Sequence, residues 1–471
     1  MCGILALAIG VRFYHVTEPP CDYHDWRQTI TLMVARDFAR NGFAVLHPHL
    51  LWLGKGDKPA YFAAEFSLES IAAAALYRIF GENEVIPRLV VIVFSVSGVW
   101  FLYAILQRSC GALAAFLGAF IYALLPCHIF FGRVFMPDIP AISLALGGVY
   151  WMDRWAETGK AKFFGAAALM TCLAILQKLT AAVVLLPICY ALARRYGAWM
   201  VLRRGTWIFG AIVAVPVSLW YWHAWNLSLQ NGFQIMQPGA TGADLRLWLN
   251  KAFLAEVGTA LYGEVFSPAG VLICTFGLFW PSRNKTIDLF RIWFLGASLL
   301  LVLIPSLVRD NHYYLSALLP AGAALAGIAL AEMTGGTPPS LAVRHSVPIL
   351  ALVLGLFSVS ALTSVAPLYE LNLFPWELGN LLRKTTAPTD LLVTENGGSP
   401  GILYYADRRG WFLQNNYDAD LIANFGDRGA SWYADSNPRD AVEQPAFVAK
   451  MDGRFRRVYT QPRGWLVYRL R

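Results

Sequence analysis

Charge is what this chain of 471 residues is short of. Asp, Glu, Lys and Arg together make up 14% of it, against 57% hydrophobic residues. A water-soluble chain of this length could not hide that much apolar surface, so a polytopic membrane protein is expected. Cysteine is scarce too: seven, at 2, 21, 110, 127, 172, 189 and 274, with none beyond. No two stand in a CxxC spacing, so neither a disulfide framework nor a thiolate metal site is expected. The nucleotide cradles GxxxxGKS/T and GxGxxG between strand and helix are absent, and GGSPG (397–401) is an ordinary turn. LADxDR-like nucleotide signals are missing as well, which argues against a cytosolic nucleotide-sugar enzyme. No internal repeat or low-complexity tract stands out. Residues 1–14 lack the basic start and small-residue cleavage site of a signal peptide. At about 1.5 Å per residue they would reach roughly 20 Å, short of a bilayer core of about 30 Å. They are expected to be a short first span in a thinned bilayer, or the end of a longer one begun upstream.

What the chain does have is a series of apolar segments. After residues 1–14 they run at 88–106, 111–130, 139–152, 163–177, 180–193, 206–222, 266–281, 290–307, 314–331 and 346–365. Eleven spans are expected. Residues 66–80 are apolar too, but Glu65 and Glu69 stand at their start and Arg78 near their end, which suits a helix lying in the interface. The basic residues test this count. With the N-terminus in the cytoplasm, the cytoplasmic loops carry Arg108, Arg154, Lys160, Lys162, Arg194, Arg195, Arg203, Arg204, Arg283, Lys285, Arg291 and Arg344. The short outer loops carry only Arg133, Lys178 and Arg309. That bias of twelve against three follows the positive-inside rule. Counting 66–80 as a span would reverse it. The formal net charge of +8 therefore marks loops, not a nucleic-acid surface. Trp (17), Tyr (20) and Phe (29) are abundant, as at membrane interfaces.

Two domains are expected: residues 1–365 in the membrane, with long outer loops at 15–87 and 223–265, and residues 366–471 as a small α/β domain outside the bilayer. In the latter, LLVTE (391–395) and GWFLQ (410–414) read as strands and ILYYA as helix. FVAKM, RRVYT and GWLVYRL are further strand candidates.

On this topology the charges gather on the outer face: Asp25, Arg27, Lys58, Glu65, Arg133, Asp138, Lys178, Arg309 and His312, many at span ends. Cations with a few carboxylates at that depth suit an anionic lipid headgroup and a proton acceptor. Each taken singly also fits an interfacial anchor or a local ion pair.

The run HDWRQ (24–28), then EFSL (65–68) opening a helix that ends LYRIFG (76–81), then ENEVIPRLV, resembles the dolichyl-phosphate-mannose-protein mannosyltransferase and aminoarabinose transferase group. GRVFMPDIP (132–140), QKLTA (177–181) and DNHYYLSALLPAGAALAG (310–327) follow in the family's order. The resemblance implies a GT-C fold glycosyltransferase that uses a polyprenyl-phosphate sugar donor, in the manner of the bacterial glycosyltransferase 39-like branch. It covers about residues 20 to 330, and the tail has only a general likeness to the family's outer domains. The sequence departs from the pattern in one place. The family's second acidic position is usually followed by proline, as in E-x-P. Here Glu65 is followed by Phe66 and Ser67, while Asp57-Lys58-Pro59 lies eight residues earlier. The distance to Phe80-Gly81 favours Glu65. Asp57 is the alternative, with Lys58 then on the phosphate.

A lipid-linked donor of this kind sets the chemistry to be expected. A polyprenyl phosphate leaves as an anion and needs cations, not a general acid. The acceptor hydroxyl needs a base, and direct displacement inverts the anomeric carbon. Asp25 is the expected base. Arg27, Lys58 and Lys178, then Arg133 and Arg309, are expected at the phosphate. Glu65 and Asp138 would orient hydroxyls or, with Asp25, hold a divalent metal. His312 and Tyr313 would line the pocket. His24 is a pocket residue that could be a metal ligand, although one histidine beside a tryptophan more often sits at an interface. The expected acceptor is a glycan, lipid or protein, and the expected setting is the outer face of a bacterial cytoplasmic membrane. A transporter or flippase of a lipid-linked sugar is the alternative, but it would more often show repeats and mid-span charges. A scaffold presenting the tail would leave the charges of 24–69 unexplained.

Overall fold

The computed structural model describes residues 1–231, 244–282, 284–335, 342–437, 439–459 and 464–471. Arg283 and residues 232–243 of the second outer loop fall outside the described residues.

All eleven apolar segments are helical in whole or in part. Among the described residues, six helices are long and apolar enough to cross a membrane. There are up to seven if Lys251–Val265 and Pro268–Phe279, bent by 99°, form one span. Cys2–Arg12 (α1), Ala112–Leu124 and Ala161–Gln177 are apolar but shorter. The expected segment 111–130 shows why some spans fall short. It breaks at Leu125, because Pro126 cannot continue the helix before it and instead starts Pro126–Phe131.

The stretch between the first two apolar helices holds two helices and a hairpin. Asp25–Arg40 (α2) and Leu68–Phe80 (α3) pack on each other, and α3 packs on Val85–Cys110 (α4). The segment excluded from the span count is therefore a helix of 13 residues. Between α2 and α3, β1 (His49–Leu53) and β2 (Pro59–Tyr61) pair antiparallel around a turn at Gly56.

This hairpin joins the tail. With β3 (Leu391–Glu395), β4 (Gly410–Leu413), β5 (Ala430–Asp435), β6 (Arg456–Tyr459) and β7 (Leu466–Arg469) it forms one sheet, in the order β2-β1-β4-β3-β5-β7-β6. β1, β4, β3 and β5 run parallel, while β5, β7 and β6 alternate in direction. The sheet thus joins residues on both sides of position 366. A shared core, with Phe38, Trp52, Leu378, Leu392 and Tyr404, lies between α2, α3 and the tail. The tail reads largely as expected, with one correction. FVAKM (447–451) is not a strand but lies in the helix Pro445–Arg454. Pro445 stands in its first turn, and Phe447 and Met451, four residues apart, bury one face.

Small residues allow close helix contact. A Cβ on Gly327, in Leu319–Gly335, would lie 2.4 Å from the Gly118 nitrogen and 2.5 Å from its Cα. Close backbone approach of this kind is how membrane helices gain packing without a hydrophobic drive. Gly327→Val is expected to force these helices apart and cost about 1–3 kcal/mol or more. A lowered melting temperature in detergent checks this, and an unchanged one contradicts it.

Candidate active site

The site forms where α2 and α3 meet the ends of the apolar helices. Arg27 and Glu65, both buried, form an ion pair. The Arg27 guanidinium also donates to Thr31 Oγ1 at 3.0 Å and lies over the Phe62 ring at 4.9 Å. A second pair stands beside it: Lys178 Nζ lies 2.8 Å from Asp138 Oδ1. Lys178 also faces the rings of Tyr313 and Tyr314, at 4.7 and 4.4 Å. Asp138 opens the helix Asp138–Thr158, and Lys178 follows Ala161–Gln177 at a break in the chain's apolar run. Both therefore stand at helix ends, where each can pair with the other.

Glu69 and Gln177 tie the two pairs together. Gln177 Nε2 donates to Glu69 Oε2, and Leu68 N donates to Gln177 Oε1 at 3.0 Å. Phe66 N donates to the Leu176 carbonyl at 2.9 Å. The start of α3, and with it Glu65, is thereby held against the residue preceding Lys178. Burial pushes the Glu69 carboxyl up to about 7. Neither Glu69 nor Gln177 is among the expected site residues, although Gln177 stands in the QKLTA motif.

Asp25 takes a different direction. It begins α2, two residues before Arg27, and residues so spaced do not share a helix face. Its Oδ2 accepts from Ser399 Oγ of the tail at 2.8 Å. Burial pushes its carboxyl up, opposed by the Ser399 hydrogen bond. His24 just before it is left-handed, with φ 59°, a conformation that costs a non-glycine residue energy. Its ring stands edge-on to Tyr313 with centroids 5.0 Å apart, which links α2 to the Lys178 side. Burial holds the His24 imidazole down to about 4, so it is neutral at physiological pH.

The other expected residues lie at varying remove. His312 Nδ1 is 3.2 Å from Glu264 Oε2, which also accepts from the Tyr23 hydroxyl at 3.2 Å. Glu264, from the second outer loop, and Tyr23 are thus further members of the site. Arg133 is fully buried against Asp22 and over the Tyr369 ring at 4.5 Å, with Arg88 3.8 Å from the same carboxylate. Asp57 and Lys58 are exposed on the β1–β2 turn, where Asp57 pairs with Arg428 of the tail. Arg309 is exposed on the short helix Pro305–Asp310. Arg27, Glu65, Asp138, Lys178, His24 and Tyr313 therefore come together, whereas Asp57, Lys58 and Arg133 lie elsewhere. Of the two candidates for the second acidic position, Glu65 is the one on Arg27. The trio considered for a metal is not assembled. Asp25, Glu65 and Asp138 are held by Ser399, Arg27 and Lys178 respectively. Among the described residues no group of three or more His, Cys, Asp or Glu side chains is placed to hold an ion.

The Glu69 carboxyl gives a pH prediction. Its folded value of about 7 exceeds the ordinary 4.5. The protonated form is thus the one that fits the fold. Its contribution is whole below about pH 4.5 and is lost as pH rises through 7, by about 3 kcal/mol at most. Melting temperature is expected to fall from pH 5 to pH 8 more steeply in the wild type than in Glu69→Gln. Equal slopes would show that this carboxyl is ionised throughout.

Comparison with known proteins bears on the fold. Residues 70–222 match the family described as dolichyl-phosphate-mannose-protein mannosyltransferase. No curated protein matches the chain by sequence. Among solved structures, ArnT from Cupriavidus metallidurans bound to undecaprenyl phosphate is similar with a TM-score of 0.67 at 14% identity, over 100% of this chain and 97% of that one. The apo oligosaccharyltransferase of Archaeoglobus fulgidus gives 0.58 at 12%, over 99% and 74%. The mycobacterial arabinofuranosyltransferase AftD gives 0.61 at 13%, over 100% of this chain and 41% of its own. At such identities the likeness is one of fold. This chain is thus a multi-pass membrane protein with the GT-C fold, similar in structure over its whole length to ArnT and the archaeal oligosaccharyltransferase.

Proposed function

We propose that this protein is a membrane glycosyltransferase that moves a sugar from a polyprenyl-phosphate donor to an acceptor hydroxyl or phosphate on a glycolipid, polysaccharide or protein. The observation that carries this reading is the two buried ion pairs, Arg27 with Glu65 and Lys178 with Asp138, linked through Glu69 and Gln177 where α3 meets the apolar helices. Each cation is held by one carboxylate and each has N–H donors to spare. A lipid phosphate entering from the bilayer would meet both, and a water-poor site strengthens that attraction. The fold supports the donor class: the similar ArnT structure holds undecaprenyl phosphate, and an Archaeoglobus fulgidus oligosaccharyltransferase structure holds dolichol-phosphate.

In the proposed reaction the acceptor oxygen forms a bond to the anomeric carbon as the bond from that carbon to the phosphate oxygen breaks. The acceptor proton passes to Asp25, and polyprenyl phosphate leaves as an anion held by Arg27 and Lys178. Displacement from the face opposite the phosphate inverts the anomeric carbon. Glu65 and Asp138 keep the two cations in place, and Tyr313 and His24 wall the pocket. The excess of basic residues in alternate loops, twelve against three, supports a site on the outer face of a bacterial cytoplasmic membrane.

The test uses the purified protein in nanodiscs with a panel of polyprenyl-phospho-sugars. Mass spectrometry follows release of polyprenyl phosphate. Sugar-dependent release is expected, slow without acceptor and faster with it. Movement of the lipid between leaflets with no release would instead make the protein a transporter. Asp25→Asn is expected to lower kcat by about 100-fold or more with donor binding kept. Normal turnover in this variant would remove Asp25 as the base. Lys178→Met combined with Asp138→Asn leaves no buried charge unpaired, and it is expected to weaken donor binding about tenfold. Unaltered donor affinity would take Lys178 off the phosphate.

A further inference from the structure

The loop 396–400 joins β3 to the helix Gly401–Ala406, and its shape is narrowly determined. Gly397 and Gly398 have positive φ, 58° and 87°. A Cβ on Gly398 would also meet Gln414 Cγ at 3.0 Å. Glu395, buried at the end of β3, accepts from the Gly397 amide at 2.8 Å. Ser436, just past β5, donates to Asn396 Oδ1 at 3.0 Å. The loop is therefore anchored to the carboxyl ends of two adjacent parallel strands, where open α/β sheets present their functional loops.

This anchoring delivers Ser399 to Asp25. Ser399 is buried, its Oγ accepts from the Gly401 amide at 3.3 Å, and it donates to Asp25 Oδ2 at 2.8 Å. The two residues are 374 positions apart in the chain. With one lone pair taken by Gly401, the hydroxyl proton is directed at the carboxylate. The Trp26 backbone also hydrogen-bonds this carboxyl from within the helix, and Ser399 adds the one side-chain contact from the tail that limits its torsions.

We infer that Ser399 is a positioning residue for Asp25, holding Oδ2 so that Oδ1 faces the acceptor, and that the C-terminal sheet thereby completes the reaction centre. This rests on the reading of Asp25 as the base. It makes the tail part of the chemistry. Misplacing a reacting group by about 1 Å can cost around 100-fold in rate, so one hydrogen bond from a remote domain can matter.

The experiment measures donor kinetics of the full chain in nanodiscs for Ser399→Ala, Ser399→Thr and Asp25→Asn. Ser399→Ala is expected to lower kcat tenfold or more while donor KM stays within twofold. Ser399→Thr keeps the hydroxyl and is expected to recover most of the lost rate. A kcat for Ser399→Ala within twofold of wild type overturns the inference, and so does a loss confined to KM. If Asp25→Asn is inactive while Ser399→Ala is normal, only the positioning role falls. If Asp25→Asn itself turns over normally, the assignment of the base falls, and the role of Ser399 with it.

Discussion

A buried charge must meet an opposite charge or a dense set of hydrogen bonds, and in this protein that requirement shapes everything around the site. Arg27 on α2 reaches Glu65 across 38 positions, and Lys178 meets Asp138. Asp22 neutralises Arg133 and lies near Arg88. Arg12 on α1, wholly buried, is satisfied by Ser95 at 2.7 Å, by His128 and by the Ala8 and Ala123 carbonyls. Breaking one such pair strands a charge at a cost of several kcal/mol. Each pair also joins segments that are distant in sequence. Asp22 with Arg133, and Glu69 with Gln177, dock the first loop onto the apolar helices.

The same loop is joined to the tail by a different force. β1 extends the C-terminal parallel sheet at Trp52 and Gly410, and α2 shares a core with the tail. Asp57 pairs with Arg428 at the edge, and Arg40 reaches both Glu82 and Asp407. The stretch 15–87 is therefore held on one side by buried ion pairs and on the other by a sheet and an apolar core. Asp25 and Arg27, two residues apart, look toward opposite sides of that junction. The cations thus lie toward the membrane helices, and the Asp25 carboxylate toward the tail.

Much of the site is legible in the sequence, and particular residues show why. Asp25, Arg27, Glu65, Asp138 and Lys178 are charges placed where an apolar chain has little reason to keep them. Glu69 and Gln177 are harder to single out, because a carboxylate inside an interfacial helix and an amide at a span end look like ordinary amphipathic surface. Ser399 carries no signal, since a serine in GGSPG is what a turn requires. Arg133 shows another limit, for the sequence does not reveal that Asp22 already holds this cation. Lys58 is a related case: its neighbours in the chain do not reveal that a hairpin carries it out to the surface. FVAKM misleads because five residues cannot separate a strand from one face of a helix.

The sequence by itself determined the class of the molecule. Apolar segments, scarce charge and the asymmetry of Lys and Arg are one-dimensional quantities, and the bilayer reads them segment by segment. It also determined which charged residues had to be explained. Only the tertiary structure decided their partners: Arg27 with Glu65 and not Asp57, Asp25 with Ser399, and β1 beside β4. The first two of those contacts span 38 and 374 positions, and the third joins the first loop to the tail. They depend on how helices and strands pack in space, and local propensity and periodicity carry no record of that.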